Sequence, residues 1–150
     1  MYKIIGAACC LAALAAGCGG SSRPTTSDDA DALRLRQVGE LCRHFQFANK
    51  KPPQRVDDLA RVRSMGGNGY EALQSGDIVL MCNATLPDLD EDPGHSESHE
   101  ILAYQKDVPQ SGGSVLLLNR TVRKMTTDEF KSAPKPAGAT EGNPASAKLP

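Results

Sequence analysis

The chain has 150 residues, with 17 Lys+Arg against 18 Asp+Glu and a formal charge of −1. A chain of this length reads as one domain, and so even a charge balance gives no electrostatic reason to bind nucleic acid. Apolar residues make up 39% and aromatics 4%, with no Trp, which supports one modest core and leaves little for a deep apolar cofactor pocket.

The first segment reads as an address. Lys3 supplies a short positive start, and Ile4 to Ala16 is an uncharged, mostly apolar run. A spanning helix needs roughly 20 such residues, so this run fits a secretory signal and not a retained anchor. It ends in Leu14-Ala15-Ala16-Gly17-Cys18. That segment resembles the lipobox of bacterial lipoproteins: small residues suit a peptidase groove, and the Cys18 thiol suits transfer of a diacylglycerol group. The departure is Ala15 at the third position before the cysteine, where Leu is commoner; Leu14 stands one place early. Ordinary cleavage after Ala15 is the alternative. Cysteine arithmetic separates the two. Of the five cysteines, Cys9 and Cys10 leave with residues 1–17. Plain cleavage retains an odd number, Cys18, Cys42 and Cys82, whereas lipidation of Cys18 leaves two that can pair. The resemblance implies a membrane-lipid partner through acylated Cys18 and a place in the bacterial cell envelope. Two or more acyl chains hold a protein stably at a bilayer. Gly19, where Asp marks inner-membrane retention in some lineages, points to the outer membrane.

Residues 18–27 are polar, small and Pro-containing, the composition of a tether spreading over roughly 15 Å. A single domain is expected over 28–133. Its first helix starts near Ser27, a capping residue, with Asp28, Asp29 and Asp31 favourable at the positive end. Leu35, Val38, Leu41/Cys42, Phe45 and Ala48 recur at helical spacing, and Asn49-Lys50-Lys51-Pro52-Pro53 stops the helix. Arg34, Arg36, Arg43, Lys50 and Lys51 alternate with acids and read as a solvated face; contact with anionic headgroups is the other reading. Asp57 is the expected cap of a short second helix through Leu59 and Val62, closed by Gly66-Gly67, and Tyr70 to Leu73 adds a turn. Strands are predicted at Ile78–Cys82, Glu100–Gln105, Ser114–Leu118 and Thr121–Met125. The Pro109–Gly113 and Asn119-Arg120 turns join the last three. Thr126-Thr127-Asp128-Glu129 has capping-box spacing for a last helical turn, with Phe130 toward the core. Residues 134–150 are Pro-rich and without aromatics, so disorder is expected there. The sum is α+β, helices packed on a three- to four-stranded antiparallel meander.

The stretch Gly112-Gly113-Ser114-Val115-Leu116-Leu117-Leu118-Asn119-Arg120-Thr121-Val122, with Glu129-Phe130 beyond it, resembles the C-terminal meander of pseudopilin-like proteins and of small planctomycete-type lipoproteins. Lys51 to Leu59 (KPPQRVDDL) and Leu102 to Pro109 (LAYQKDVP) extend the resemblance to about half the folded part. Asn119-Arg120 departs from the Asp-Gly of that pattern, and the short N-terminal apolar segment ending in a lipobox departs from the long helix a pilin needs. The resemblance therefore implies a helix-plus-sheet fold and no pilus, and it brings no assigned activity.

Two groups of residues are candidates for chemistry. Cys42 lies on the apolar face of the first helix and Cys82 at the end of the first strand. A bridge between them would close a loop of about 40 residues and contribute roughly 2–4 kcal/mol; two separate buried thiols are the alternative. The segment Asp88–Glu100 carries Asp88, Asp90, Asp92, His95, His99 and Glu100. Alternating oxygens suit Ca²⁺, but Pro93 stands where the calcium loop wants Gly. The spacing of His95 and His99 suits Zn²⁺ only on a helix, which Pro93-Gly94 opposes. A solvated acidic loop is the simpler reading. A Cys42–His44–Asp57 set is conceivable for catalysis, with a surface histidine beside a structural cysteine as its plain alternative. The chain has no G-x-S-x-G elbow and no phosphate loop. The expectation is a non-enzymatic, cofactor-free, lipid-anchored envelope protein with a structural or protein-binding role. A metal- or small-ligand-binding accessory protein using residues 88–100 is the second reading.

Overall fold

The computed structural model describes residues 26–142, and side chains from residue 29 onward. The expected signal, Cys18, residues 19–25 of the expected tether, the Ser27 side chain expected to cap the helix and residues 143–150 lie outside these; Thr26 and Ser27, expected in the tether, are already helical. α1 runs from Thr26 to Asn49. Its apolar stripe buries Leu35, Val38, Leu41, Cys42 and Phe45, the face that 3.6-residue periodicity selects; Ala48 is exposed. Lys50 ends the helix in the left-handed region, at φ 58°. Its N–H still donates to Gln46 O at 2.8 Å, and two prolines follow.

A 3-10 helix spans Val56–Met65. Its start is tied down by Asp58, whose Oδ2 accepts from the Gln54 and Arg55 N–H groups at 2.9 and 3.0 Å. The cap expected of Asp57 is therefore made one residue later, while Asp57 accepts from Gln74 Nε2 at 3.3 Å. Gly66 and Gly67 close this helix, and α2 follows at Gly69–Gln74. These glycines let the chain press onto α1. A Cβ on Gly66 would lie 2.3 Å from Leu41 Cγ, and one on Gly69 would lie 2.9 Å from Val38 N.

The sheet has five antiparallel strands in the order β4-β3-β2-β1-β5. They are β1 Ile78–Cys82, β2 Ile101–Gln105, β3 Gly113–Leu117, β4 Val122–Met125 and β5 Thr140–Gly142. The register aligns Leu80, Ala103 and Leu116 in one row and Val79, Tyr104 and Val115 in the next. Rows alternate between faces. Leu116 meets α1 at Gly39, so the first row faces the helical layer. Tyr104 meets Phe130 edge-on at 4.7 Å, so the second row is covered by α4, Thr127–Ser132. β2 and β3 are thus buried on both faces.

The β2–β3 connection, expected as a turn over Pro109–Gly113, contains a single helical turn, α3, Val108–Ser111, with proline in its first turn. The expectation that order ends at residue 133 is corrected. Pro134 O accepts from Ile101 N at 3.1 Å, and β5 pairs Leu80, Met81 and Cys82 with Gly142, Glu141 and Thr140. The composition argument failed because an edge strand needs little apolar mass of its own. Its backbone satisfies donors and acceptors that β1 already presents.

Candidate functional site

The turn between β3 and β4 places a charged side chain inside the molecule. Arg120 N donates to Leu117 O at 2.9 Å, and Leu117 N donates to Thr121 O at 2.8 Å. Asn119 Oδ1 accepts from Thr121 N at 3.2 Å and from its hydroxyl at 2.7 Å. This tight turn leaves Arg120 at φ 64°, with its side chain only 5% exposed.

A cation so buried needs compensation on every donor. Arg120 Nη1 donates to Glu40 Oε1 at 3.1 Å. Its Nη2 donates to Asp88 O at 3.1 Å and also to Glu91 O. Glu40 is shared, because Arg43 Nη1 lies 3.5 Å from its other oxygen. Arg43 Nε donates to Leu89 O at 2.6 Å. Farther along α1, Gln46 clamps Leu86 from both sides, donating to its carbonyl at 3.2 Å and accepting from its N–H at 3.1 Å. Asn119 closes the far end: its Nδ2 donates to Ser96 O at 3.0 Å, and its carbonyl accepts from Gly94 N at 2.8 Å. The segment 83–100 is therefore strapped to α1 and to the β3–β4 turn largely through its own main chain.

This arrangement decides the fate of the metal candidates. The arginines take carbonyls, so the carboxylates of Asp90, Glu91 and Asp92 stay exposed at the surface. His95 Nδ1 lies 3.9 Å from Glu91 and His99 Nε2 lies 3.3 Å from Glu97, both in the open. Asp88 is half-buried, with Oδ2 unpartnered. Among the described residues no three His, Cys, Asp or Glu side chains gather in a way that could hold a metal ion. Asp88, Asp90, Asp92, His95, His99 and Glu100 are neighbours in sequence and are not brought together as a ligand set.

Cys42 and Cys82 are both buried free thiols, so the bridge weighed from sequence is not formed. Burial, and then the neighbouring Cys82, hold the Cys42 thiol far above its ordinary range. Burial chiefly, with Asp58 behind it, pushes Cys82 to about 11. Thiols held protonated in this way are poor nucleophiles. Nothing gathers the conceivable Cys42–His44–Asp57 set either: Cys42 is a fully buried free thiol, His44 is only half-buried, and Asp57 is engaged by Gln74.

Beside Arg120 lies an open cleft of about 580 Å³. Its apolar walls are Leu33, Met65, Pro93 and Val122, and its polar side is formed by Arg36, Gln37, Glu40 and Arg120. Leu33 and Met65 are 53% and 58% exposed, large values for such side chains. Gln37 Oε1 is buried and has no hydrogen-bond partner.

None of Arg120, Glu40, Gln46 and Gln37 stood out as a site residue in the sequence. Two signals were there. Gln37, Glu40, Arg43 and Gln46 recur every third residue, a polar seam beside the apolar stripe. Arg120 stands in a two-residue turn between apolar strands, where a small residue is the ordinary choice. No family model, curated protein or solved structure matches the chain.

Proposed function

We propose that the chain is a lipid-anchored protein of the bacterial cell envelope whose α+β domain acts by binding and not by catalysis. The observation that carries this reading is the run Leu14-Ala15-Ala16-Gly17-Cys18, ending just ahead of a well-packed domain. α1 begins at Thr26, so a polypeptide reaching from Cys18 to it spans at most about 28 Å. An acylated Cys18 then keeps the helical end of the domain close to a bilayer. The membrane is the first partner, through the lipid, and Gly19 favours the outer membrane.

A protein partner that adds a strand is not the mode the sheet favours. β4 is short and carries Arg123 and Lys124 on its edge, and β5 has three residues; short, charged edges resist pairing. The cleft beside Arg120 is the surface that offers apolar contact together with polar direction.

The test is detergent phase partitioning of the mature protein with intact-mass measurement. Wild-type protein is expected in the detergent phase, with a mass that begins at Cys18 and includes acyl chains. Cys18→Ala is expected in the aqueous phase. An unacylated mature chain in the aqueous phase overturns the reading.

A further inference from the structure

We infer that the outward side of α1 and the end of the 3-10 helix lie directly against the bilayer that holds Cys18. Leu33 and Met65 enter the acyl boundary, and Arg36 reaches lipid phosphate. The inference rests on the lipidated reading above, and it says which surface of the domain the membrane covers.

The first observation is where apolar surface is left open. Among the described residues the large exposed hydrophobics are Leu33, Phe47 and Met65. All three stand in α1 or the 3-10 helix, the layer that the chain enters from Cys18. Leu33 and Phe47 are fourteen residues apart on one helix, so they point to the same side, about 40° from each other. That side is opposite the buried stripe of Leu35, Val38, Cys42 and Phe45. Met65 joins Leu33 across the cleft. At Phe47 the Lys50 ammonium lies 4.5 Å from the ring centre, an apolar body with a cationic tip, which suits a membrane boundary.

The length of the connection names the occupant. Cys18 stands at most about 28 Å of chain from Thr26, and Leu33 lies seven residues farther on, about 10 Å along α1. A linker this short holds the face at an effective concentration in the millimolar range toward the bilayer, so a contact of two apolar side chains suffices. A soluble partner has no such advantage.

Charge sets which rim goes in. Arg36 is exposed at the cleft and has no ion pair among the described residues, so its guanidinium is free for a phosphate. Arg34 is already turned to Asp31, at 3.7 Å. At the other rim Pro93 follows the exposed acids Asp90, Glu91 and Asp92. Lipid phosphates repel these, which holds that rim off and brings Leu33 and Met65 down.

The chain has no Trp, so one indole introduced by Leu33→Trp or by Met65→Trp reports its own depth. The acylated full chain is placed in vesicles of phosphatidylethanolamine and phosphatidylglycerol whose acyl chains are brominated, and intact mass confirms the acylation. Lys131→Trp on α4, across the sheet from α1, is the reference. Emission from positions 33 and 65 is expected to shift to the blue and to be largely lost to bromine, while that from position 131 stays. In the Met65→Trp background Arg36→Gln is expected to lower the ratio of docked to undocked protein about fivefold, and Leu33→Glu to abolish the quenching. Melting temperature checks that each variant folds. An acylated chain unquenched at 33 and 65, or quenched equally at 131, overturns this inference and leaves the lipid anchor standing. A blue shift without quenching overturns it as well and assigns the face to a second copy or another protein. An unacylated chain overturns both readings, because the tether that names the bilayer is then gone.

Discussion

Arg120 meets two demands that few residues can meet together. Its backbone sits at φ 64°, a conformation that costs a residue with a Cβ roughly 1–2 kcal/mol, and its guanidinium serves Glu40, Asp88 and Glu91 from inside. Arg120→Ala keeps the strain and abandons the acceptors, so urea unfolding is expected to show a loss of roughly 3 kcal/mol. Arg120→Gly loses the same bonds and relieves the backbone, so it is expected to be about 1 kcal/mol more stable than the alanine variant. Equal stability of the two would contradict the strained turn. The thiols give a second prediction at this scale. With Cys82 raised to about 11 and Cys42 higher still, the thiolate fraction at pH 8 is about one thousandth or less. A disulfide reagent is expected to modify neither Cys42 nor Cys82 in the native protein and both in denaturant. Rapid native modification at pH 8 would show that one of them reaches solvent.

Among the elements, α4 is held by reciprocal bonds. Thr126 Oγ1 accepts from Glu129 N at 3.3 Å, and Glu129 Oε2 accepts from Thr126 N at 2.7 Å. The backbone N–H of Thr126 and then its side chain hold the Glu129 carboxyl below its ordinary value near 4.5. A carboxyl lowered on folding stabilises the native state above its unfolded value, and the effect is lost as pH falls through the folded one. The melting-temperature gap between wild type and Glu129→Ala is therefore expected to be full near pH 6 and to shrink below about pH 4.5. A gap constant down to pH 2 would assign the effect to helix propensity. At the other end of the sheet, β5 depends on one small residue. A Cβ on Gly142 would lie 2.5 Å from Cys82 Sγ and 3.3 Å from Val56 Cγ2, so Gly142→Ala must shift the strand. The expected loss is roughly 1–3 kcal/mol, with faster hydrogen exchange at the β1 amides bonded to β5; unchanged exchange there would mean that β5 does not shield β1.

Across the whole molecule, what the sequence disclosed and what it hid divide along a physical line. Local periodicity and turn chemistry were legible: the apolar stripe of α1, the run Ile78–Cys82, the Asn119-Arg120 turn and the Thr126–Glu129 cap stand where their patterns put them. β5 was not, because pairing of Thr140–Gly142 with β1 is set by a distant partner and leaves no periodic trace in three residues. The cleft was hidden for the same reason, since Leu33, Met65, Pro93 and Val122 meet only after folding. The segment 83–100 drew notice for its acids and histidines, yet its place in the fold is fixed by the carbonyls of Leu86, Asp88, Leu89, Glu91 and Ser96. Every residue type carries a carbonyl. The shape of this strap thus rests little on its charged side chains: Gly94, at φ 87°, is held to its residue type, while the outward side chains of Asp90, Glu91, Asp92, His95 and Glu97 are at liberty to change. A lineage could rewrite that patch, altering what the molecule shows its surroundings, while the scaffold beneath registers almost nothing.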